Sequence, residues 1–339
     1  MRRFLLVTFA GAACLLGCAD YRQKPTFPEN AAHKPVLNEQ AILGISGSAD
    51  ALVAQLIDAD GEPAQLKLSL FDAHGGPSKD VLEAPPDTAK AVSAKLRRDG
   101  QQPLPLLELA LRAQWPEAFV EAQKLGFLPH PQALPEPGLR RFATTGVAAN
   151  GSLPMLLRLE EVDGSPPALA LILSEKVGGA DLELTRMTLS GESVTPQLFV
   201  QNGVAWLVSG SYRDGAPLHR TVGVRRGLLG RGEAELHNLH GLTDYSAGDL
   251  DAARREFARA IAADDTFVDS LYNAAAVAAL ADDEASALAW LKRAAAADPA
   301  RVQVLGRNDE DLRQLRKRKD VQGLLGLHRP PPENVPPPP

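Results

Sequence analysis

Few residues of this chain stand at spacings that suit chemistry. His237 and His240 are three apart, so on a helix they share one face and could offer two imidazole nitrogens to a metal ion. No cysteine lies nearby to complete such a site, and His219 is the only other histidine near in sequence. Packing and polar contacts on a helix are therefore the expectation for the pair, with no metal and no cofactor. Gly227-x-x-Gly230-x-Gly232 has the composition of a phosphate loop, but it follows Arg225-Arg226 and departs from a dinucleotide fingerprint, so it is read as a linker. Arg313, Arg316, Lys317, Arg318 and Lys319 form a basic run that could meet anionic headgroups or a partner's carboxylates; a solvated helix face is the expectation. The sequence contains no Gly-x-Ser-x-Gly elbow, no Ser-x-x-Lys, no Walker loop and no paired-cysteine site, so no catalytic residue is assigned.

The two cysteines, Cys14 and Cys18, belong to a different kind of signal. Met1-Arg2-Arg3 is a charged start, Phe4 to Leu16 is an apolar run too short to span a bilayer, and small residues precede Cys18. This pattern predicts a cleavable signal peptide over residues 1–17. Leu15-Leu16-Gly17-Cys18 also resembles the bacterial lipobox, which implies cleavage before Cys18 and acylation of its thiol and new amino group. Several acyl chains hold firmly, at about 0.8 kcal/mol per buried methylene, so the anchor replaces a transmembrane helix. Ala19 rather than Asp follows the cysteine, and by resemblance to the sorting rule of enterobacterial lipoproteins this implies a periplasm-facing place on the outer membrane. The formal charge of -6 becomes -8 once Arg2 and Arg3 leave with the signal, which gives no general attraction to nucleic acid.

The elements that must position any functional residue are read from composition and period. With 339 residues two domains are the prior; 45% of residues are apolar but only 5% aromatic, which favours helical packing in at least one of them. Residues 18–40 carry scattered prolines and charges and are expected to form a flexible tether. Residues 41–232 are expected to form a β-rich, antiparallel domain with helices near 87–125. Ala64, Leu66, Leu68 and Leu70 alternate with polar residues as in a half-buried strand, and Asp60-Gly61 suggests a hairpin with the run Ala51 to Ile57. Asp87 is the expected cap of a helix that Gly100 stops, and Trp115-Pro116 breaks a second helical stretch from Leu106 to Leu125. Pro129 to Pro137 is a proline-rich connection. Beyond it six short apolar runs, from Met155 to Arg225, are separated by Asp163-Gly164, Gly178-Gly179, Ser190-Gly191, Asn202-Gly203 and Asp214-Gly215, the signature of an antiparallel meander.

Residues 233–328 carry an internal repeat. Ala253-x-x-x-Phe257-x-x-Ala260 returns 34 positions later as Ala287-x-x-x-Leu291-x-x-Ala294, and Asp264-Asp265 as Asp298-Pro299. Each unit reads as helix, tight turn, helix. The pattern resembles the tetratricopeptide repeat family, whose signature positions are held here by Gly241, Gly248, Ala253, Phe257 and Ala260, then Ala275, Ala287, Leu291, Ala294 and Pro299. It departs from the family where His237 and Leu271 replace an aromatic residue and where Tyr245 falls one position late. Two units alone leave an apolar face open, and Leu312, Leu315, Val321, Leu324 and Leu325 predict a closing helix or helix pair over Asp309 to Leu327. Residues 329–339 form a proline-rich tail.

The resemblance implies a concave peptide-binding face made by the first helix of each unit. By position it selects Glu235, Asn238, Leu242 and Tyr245 in the first unit and Asp269, Tyr272 and Asn273 in the second. The family's carboxylate clamp wants Lys at Asn238 and Asn at Leu242; only Asn273 fits, which argues against capture of a terminal carboxylate. The fold class expected is thus α+β, a β-rich body followed by helical repeats. The function expected is a lipid-anchored envelope scaffold for an unidentified protein or peptide partner. The alternative is an envelope enzyme or carbohydrate-binding module housed in the β-rich domain, with the repeats as accessory.

Overall fold

The computed structural model describes residues 36–59, 62–73, 79–100, 102–128, 142–143, 155–175, 180–213 and 218–327. Cys18, the proline-rich connection after Leu128 and the tail beyond Leu327 lie outside them. The fold is α+β, and the described residues fall into two compact units that divide between Leu228 and Leu229.

In the first unit a seven-stranded sheet has the order β4 (Lys79–Glu83), β3 (Gln65–Phe71), β2 (Ala51–Ala59), β1 (Val36–Ile45), β11 (His219–Leu228), β10 (Val204–Arg213), β9 (Glu192–Gln201). A second sheet is ordered β5 (Phe142–Ala143), β6 (Met155–Val162), β7 (Ala168–Glu175), β8 (Asp181–Thr188). The β2–β3 hairpin and all six later strands stand where alternation and turn residues place them. The meander is interrupted, however, because the chain changes sheets between β8 and β9 at Ser190-Gly191. Apolar alternation fixes which face a strand buries but not which neighbour it joins.

The larger correction concerns β1. Its first half falls in the stretch expected to be a tether, yet Leu37, Asn38, Glu39, Gln40 and Ala41 are all buried, and β1 is the middle strand of seven. It pairs antiparallel with β2 and parallel with β11, setting Leu37 opposite Arg220 and Glu39 opposite Val222. The polar run is tolerated because its side chains find partners. Glu39 Oε1 accepts from Arg220 Nε at 2.5 Å, both side chains being 0% exposed, and Gln40 Oε1 accepts from the Val224 amide at 2.7 Å. Arg220 also donates to the carbonyls of Gly100, Gln102 and Leu104.

That clamp brings in the helices. One apolar cluster joins Leu37, Leu43, Leu52, Leu56 and Leu68 to three helices, α1 (Pro86–Asp99), α2 (Leu107–Gln114) and α3 (Glu117–Lys124). α1 buries Ala89, Val92, Ser93 and Leu96, the stripe of a 3.6-residue period, while Ser93 Oγ and Arg97 Nε donate to Asp58 on β2. Asp87 lies in the first turn and Pro85 is the cap, so Pro86, which has no N–H to satisfy, starts the helix. Trp115 and Pro116 separate α2 from α3 as the sequence suggests. The opposite face of the sheet is filled by Ile42, Val53, Phe71, Phe199, Trp206 and Val222.

The second unit starts without a linker. Gly227 belongs to β11, and Gly230 and Gly232 to the start of α4 (Leu229–Ala247), in place of the connection expected there. α5 (Leu250–Ala263), α6 (Val268–Leu280), α7 (Glu284–Ala297) and α8 (Pro299–Gly306) follow. A 3-10 turn at Leu315–Lys317 and a short α9 (Lys319–Leu324) close the unit; Leu312, Leu315, Val321 and Leu325 are buried against α6 and α7 residues, including Leu271, Ala275 and Leu291. No described helix is long and apolar enough to cross a membrane.

Burial pushes the Glu39 carboxyl from 4.5 up to about 7, against the pull of the Arg220 charge and hydrogen bond. The folded state therefore holds this proton where the unfolded chain has released it, and stability through this group falls as pH rises from about 4.5 to about 7. Urea unfolding between pH 4.5 and 8 should show a loss on the order of 2–3 kcal/mol from this group, and Glu39→Gln should remove that slope. An unchanged slope in the variant would contradict the assignment.

Candidate functional site: the face of helices α4 and α6

The two helical hairpins are built by the same devices 34 residues apart. The α4–α5 turn has Gly248 at φ +83°, followed by Asp249, whose carboxylate accepts from the Ala252 amide; the α6–α7 turn has Asp282 at φ +59°, followed by Asp283, which accepts from the Ser286 amide. The left-handed position favours Gly and tolerates Asp, and the next residue is a helix N-cap. Ala253, Phe257 and Ala260 are buried, as are Ala287, Leu291 and Ala294. Gly241 is required by close approach, since a Cβ there would lie 2.5 Å from the Phe257 ring.

On α4 and α6 the seven residues selected from sequence fall into linked groups. Asn238 Oδ1 accepts from Asn273 Nδ2 at 2.8 Å and from Ser270 Oγ at 3.3 Å, which ties the two helices together in a buried position. Asp269 takes Arg301 of α8 in a two-pronged pair, both bonds 2.8 Å. Tyr245 donates to Asp311 Oδ2 and Tyr272 to Asp309 Oδ2, each at 2.6 Å, and the Asp311 amide is held by Asp309 Oδ1. Glu235 faces Arg231 at 3.4 Å; Arg231 reaches Asp264 at 3.0 Å and stacks over the Phe267 ring at 3.9 Å. Leu242 is 39% exposed, and Leu239 beside it is exposed as well.

The electrostatics follow from that packing. Burial pushes both phenols well above their usual range, and the aspartates they bond add to the effect. Burial also raises Asp311 and Glu235, the latter in spite of Arg231. Chemically the face offers paired amides, phenols and carboxylates; Asp269, Tyr245 and Tyr272 are bonded to Arg301, Asp311 and Asp309 of the same chain, while Asn238 and Asn273 bond each other and Glu235 faces Arg231.

No family model, curated protein or solved structure matches this chain.

Outside this face, Arg316 reaches the Arg307 carbonyl and Arg318 pairs with Asp320 and Glu284; Arg313, Lys317, Arg318 and Lys319 are exposed, as expected of a solvated face. His237 is buried, with Nδ1 2.8 Å from Glu256 Oε2 on α5. Arg301, Asp309, Asp311 and Glu256 are not among the site residues that the sequence selects. Asp309 and Asp311 follow the second unit and have no counterpart at the 34-residue offset, so nothing in the period linked them to the tyrosines. Arg301 had a faint signal, standing just after the helix start at Asp298-Pro299.

Phenol-to-carboxylate bonds of this kind need the neutral phenol. With folded-state pKa values above the unfolded value of 10, both tyrosines stabilise the unit below pH 10, and the contribution is lost as pH rises beyond it. Tyr272→Phe should cost about 1–2 kcal/mol in chemical unfolding at pH 7. It should also reduce the alkaline loss of helicity, followed by circular dichroism; an unaltered alkaline transition would speak against the Tyr272–Asp309 bond.

Proposed function

We propose that this chain is an envelope lipoprotein, anchored through lipid on Cys18, whose second unit is a short tetratricopeptide-type repeat presenting the α4/α6 face to a polypeptide partner. The observation that supports this reading is that three of the selected side chains bond a later segment of the chain. Arg301, Asp309 and Asp311 engage Asp269, Tyr272 and Tyr245, so the groups chosen for partner binding grip a segment of the same chain. Exposed Leu239 and Leu242 on α4 supply apolar area that this segment leaves uncovered. The anchor rests on Leu15-Leu16-Gly17-Cys18 and its flanks.

A photo-crosslinking side chain placed at Leu242 in cells should capture a discrete envelope protein, while one at exposed Val120 on α3 should not. Capture from Val120 alone would favour the β-rich unit as the working part and, with it, the enzyme or carbohydrate-binding alternative. Cys18→Ala should move the protein from the membrane to the soluble fraction; a variant that still sediments with membranes would end the lipid assignment.

A further inference from the structure

We propose that His237, His240 and Glu256 form a binding site for one divalent transition-metal ion, zinc by preference, on the α4–α5 hairpin. The sequence offered two histidines on one helix face and no third ligand. Folding supplies the third: Glu256 comes from α5, and one ligating atom from each of the three residues lies within 4.8 Å of the others. The Gly241–Phe257 contact one turn along fixes how closely the helices approach and so holds Glu256 beside His237. A tetrahedral zinc site with bonds of about 2.0–2.1 Å sets ligand atoms roughly 3.3 Å apart, so side-chain rotation of about an ångström would close it.

An orphaned nitrogen points the same way. His237 is 1% exposed; its Nδ1 bonds Glu256 Oε2 at 2.8 Å, and its Nε2 is buried with no hydrogen-bond partner. With the proton on Nδ1, the bare Nε2 lone pair faces Glu233 Oε1 at 3.9 Å, an acceptor facing an acceptor. A metal on Nδ1 reverses this. The ring proton then resides on Nε2, 3.9 Å from the buried Glu233 Oε1, and an approach of about an ångström would close the carboxylate–histidine–metal arrangement in which the outer carboxylate orients the ring. Glu256 can take part because Arg259 holds its Oε1, at 2.5 Å, while Oε2 faces the histidine. His240 and Glu256 are only half-buried, which gives the ion a route from solvent.

Two imidazoles and one carboxylate are a borderline donor set. It suits zinc, with a fourth position left to water, better than calcium or magnesium, which prefer all-oxygen shells.

The test uses the full chain, stripped with EDTA and dialysed, with Zn²⁺ titrated against a colorimetric chelator. One equivalent should bind. His240→Ala and Glu256→Gln should each weaken binding by more than about 100-fold, and Glu233→Gln by about 10–100-fold, the range for an outer-shell partner. Millimolar Ca²⁺ or Mg²⁺ should not compete. Zinc binding that is absent, or unchanged in both His240→Ala and Glu256→Gln, overturns the proposal. Should a variant fail to fold, the wild-type chain with Co²⁺ decides: intense visible ligand-field bands support the site, and the spectrum of hydrated Co²⁺ alone refutes it.

Discussion

A carboxylate and a guanidinium, both withdrawn from water, tie the first strand of the sheet unit to its last. Glu39 and Arg220 lie on adjacent parallel strands at the centre of seven, and Arg220 spends its remaining donors on the carbonyls of Gly100, Gln102 and Leu104. Losing one partner of such a pair costs about 3–5 kcal/mol because the other charge stays buried. A one-residue slip of β1 would do the same, since it would turn Glu39 to the other face. The pair thus sets register, and through the three carbonyls it also sets where the chain leaves α1. The apolar clusters on both faces of the sheet depend on that alignment.

In the helical unit the governing constraint is steric. Gly241 lets α4 meet the Phe257 ring, and the alanines at 253, 260, 287 and 294 are fully buried with little volume to fill. Close approach then leaves the polar chemistry on the flanks of the hairpins. One flank carries Asn238, Tyr245, Asp269, Tyr272 and Asn273; the neighbouring side carries Glu233, His237 and Glu256. The same packing that builds the unit therefore presents two distinct sets of side chains.

Much of this was legible in the sequence, and the failures share a cause. Period-2 alternation located β3 and the later strands, and the 34-residue offset located the two helical hairpins, because those signals are local; the caps at Asp249 and Asp283 emerge only in the structure. β1 was missed in its first half because Asn38-Glu39-Gln40 looks solvated until Arg220 and Val224, some 180 residues away, are brought beside it. The change of sheet after β8 was missed because turns announce that strands reverse, not which partner they find. At the candidate site Asn238 and Asn273 are hydrogen-bonded neighbours, but the acids that bond Tyr245 and Tyr272 come from beyond the repeat, and Glu256 stands one helix away from His237.

The parallel pairing of β1 with β11 bears on how the chain is made. Glu39 precedes Arg220 by 181 residues, so a chain delivered N-terminus first presents its central strand long before the partner that neutralises it exists. Until then the carboxylate keeps its water and β1 offers an unpaired edge on the β11 side. Closure of the sheet awaits the last strand, and contacts this distant in sequence form slowly. During synthesis this domain would therefore remain open, and dependent on whatever shields nascent chains, until nearly two thirds of the polypeptide had emerged.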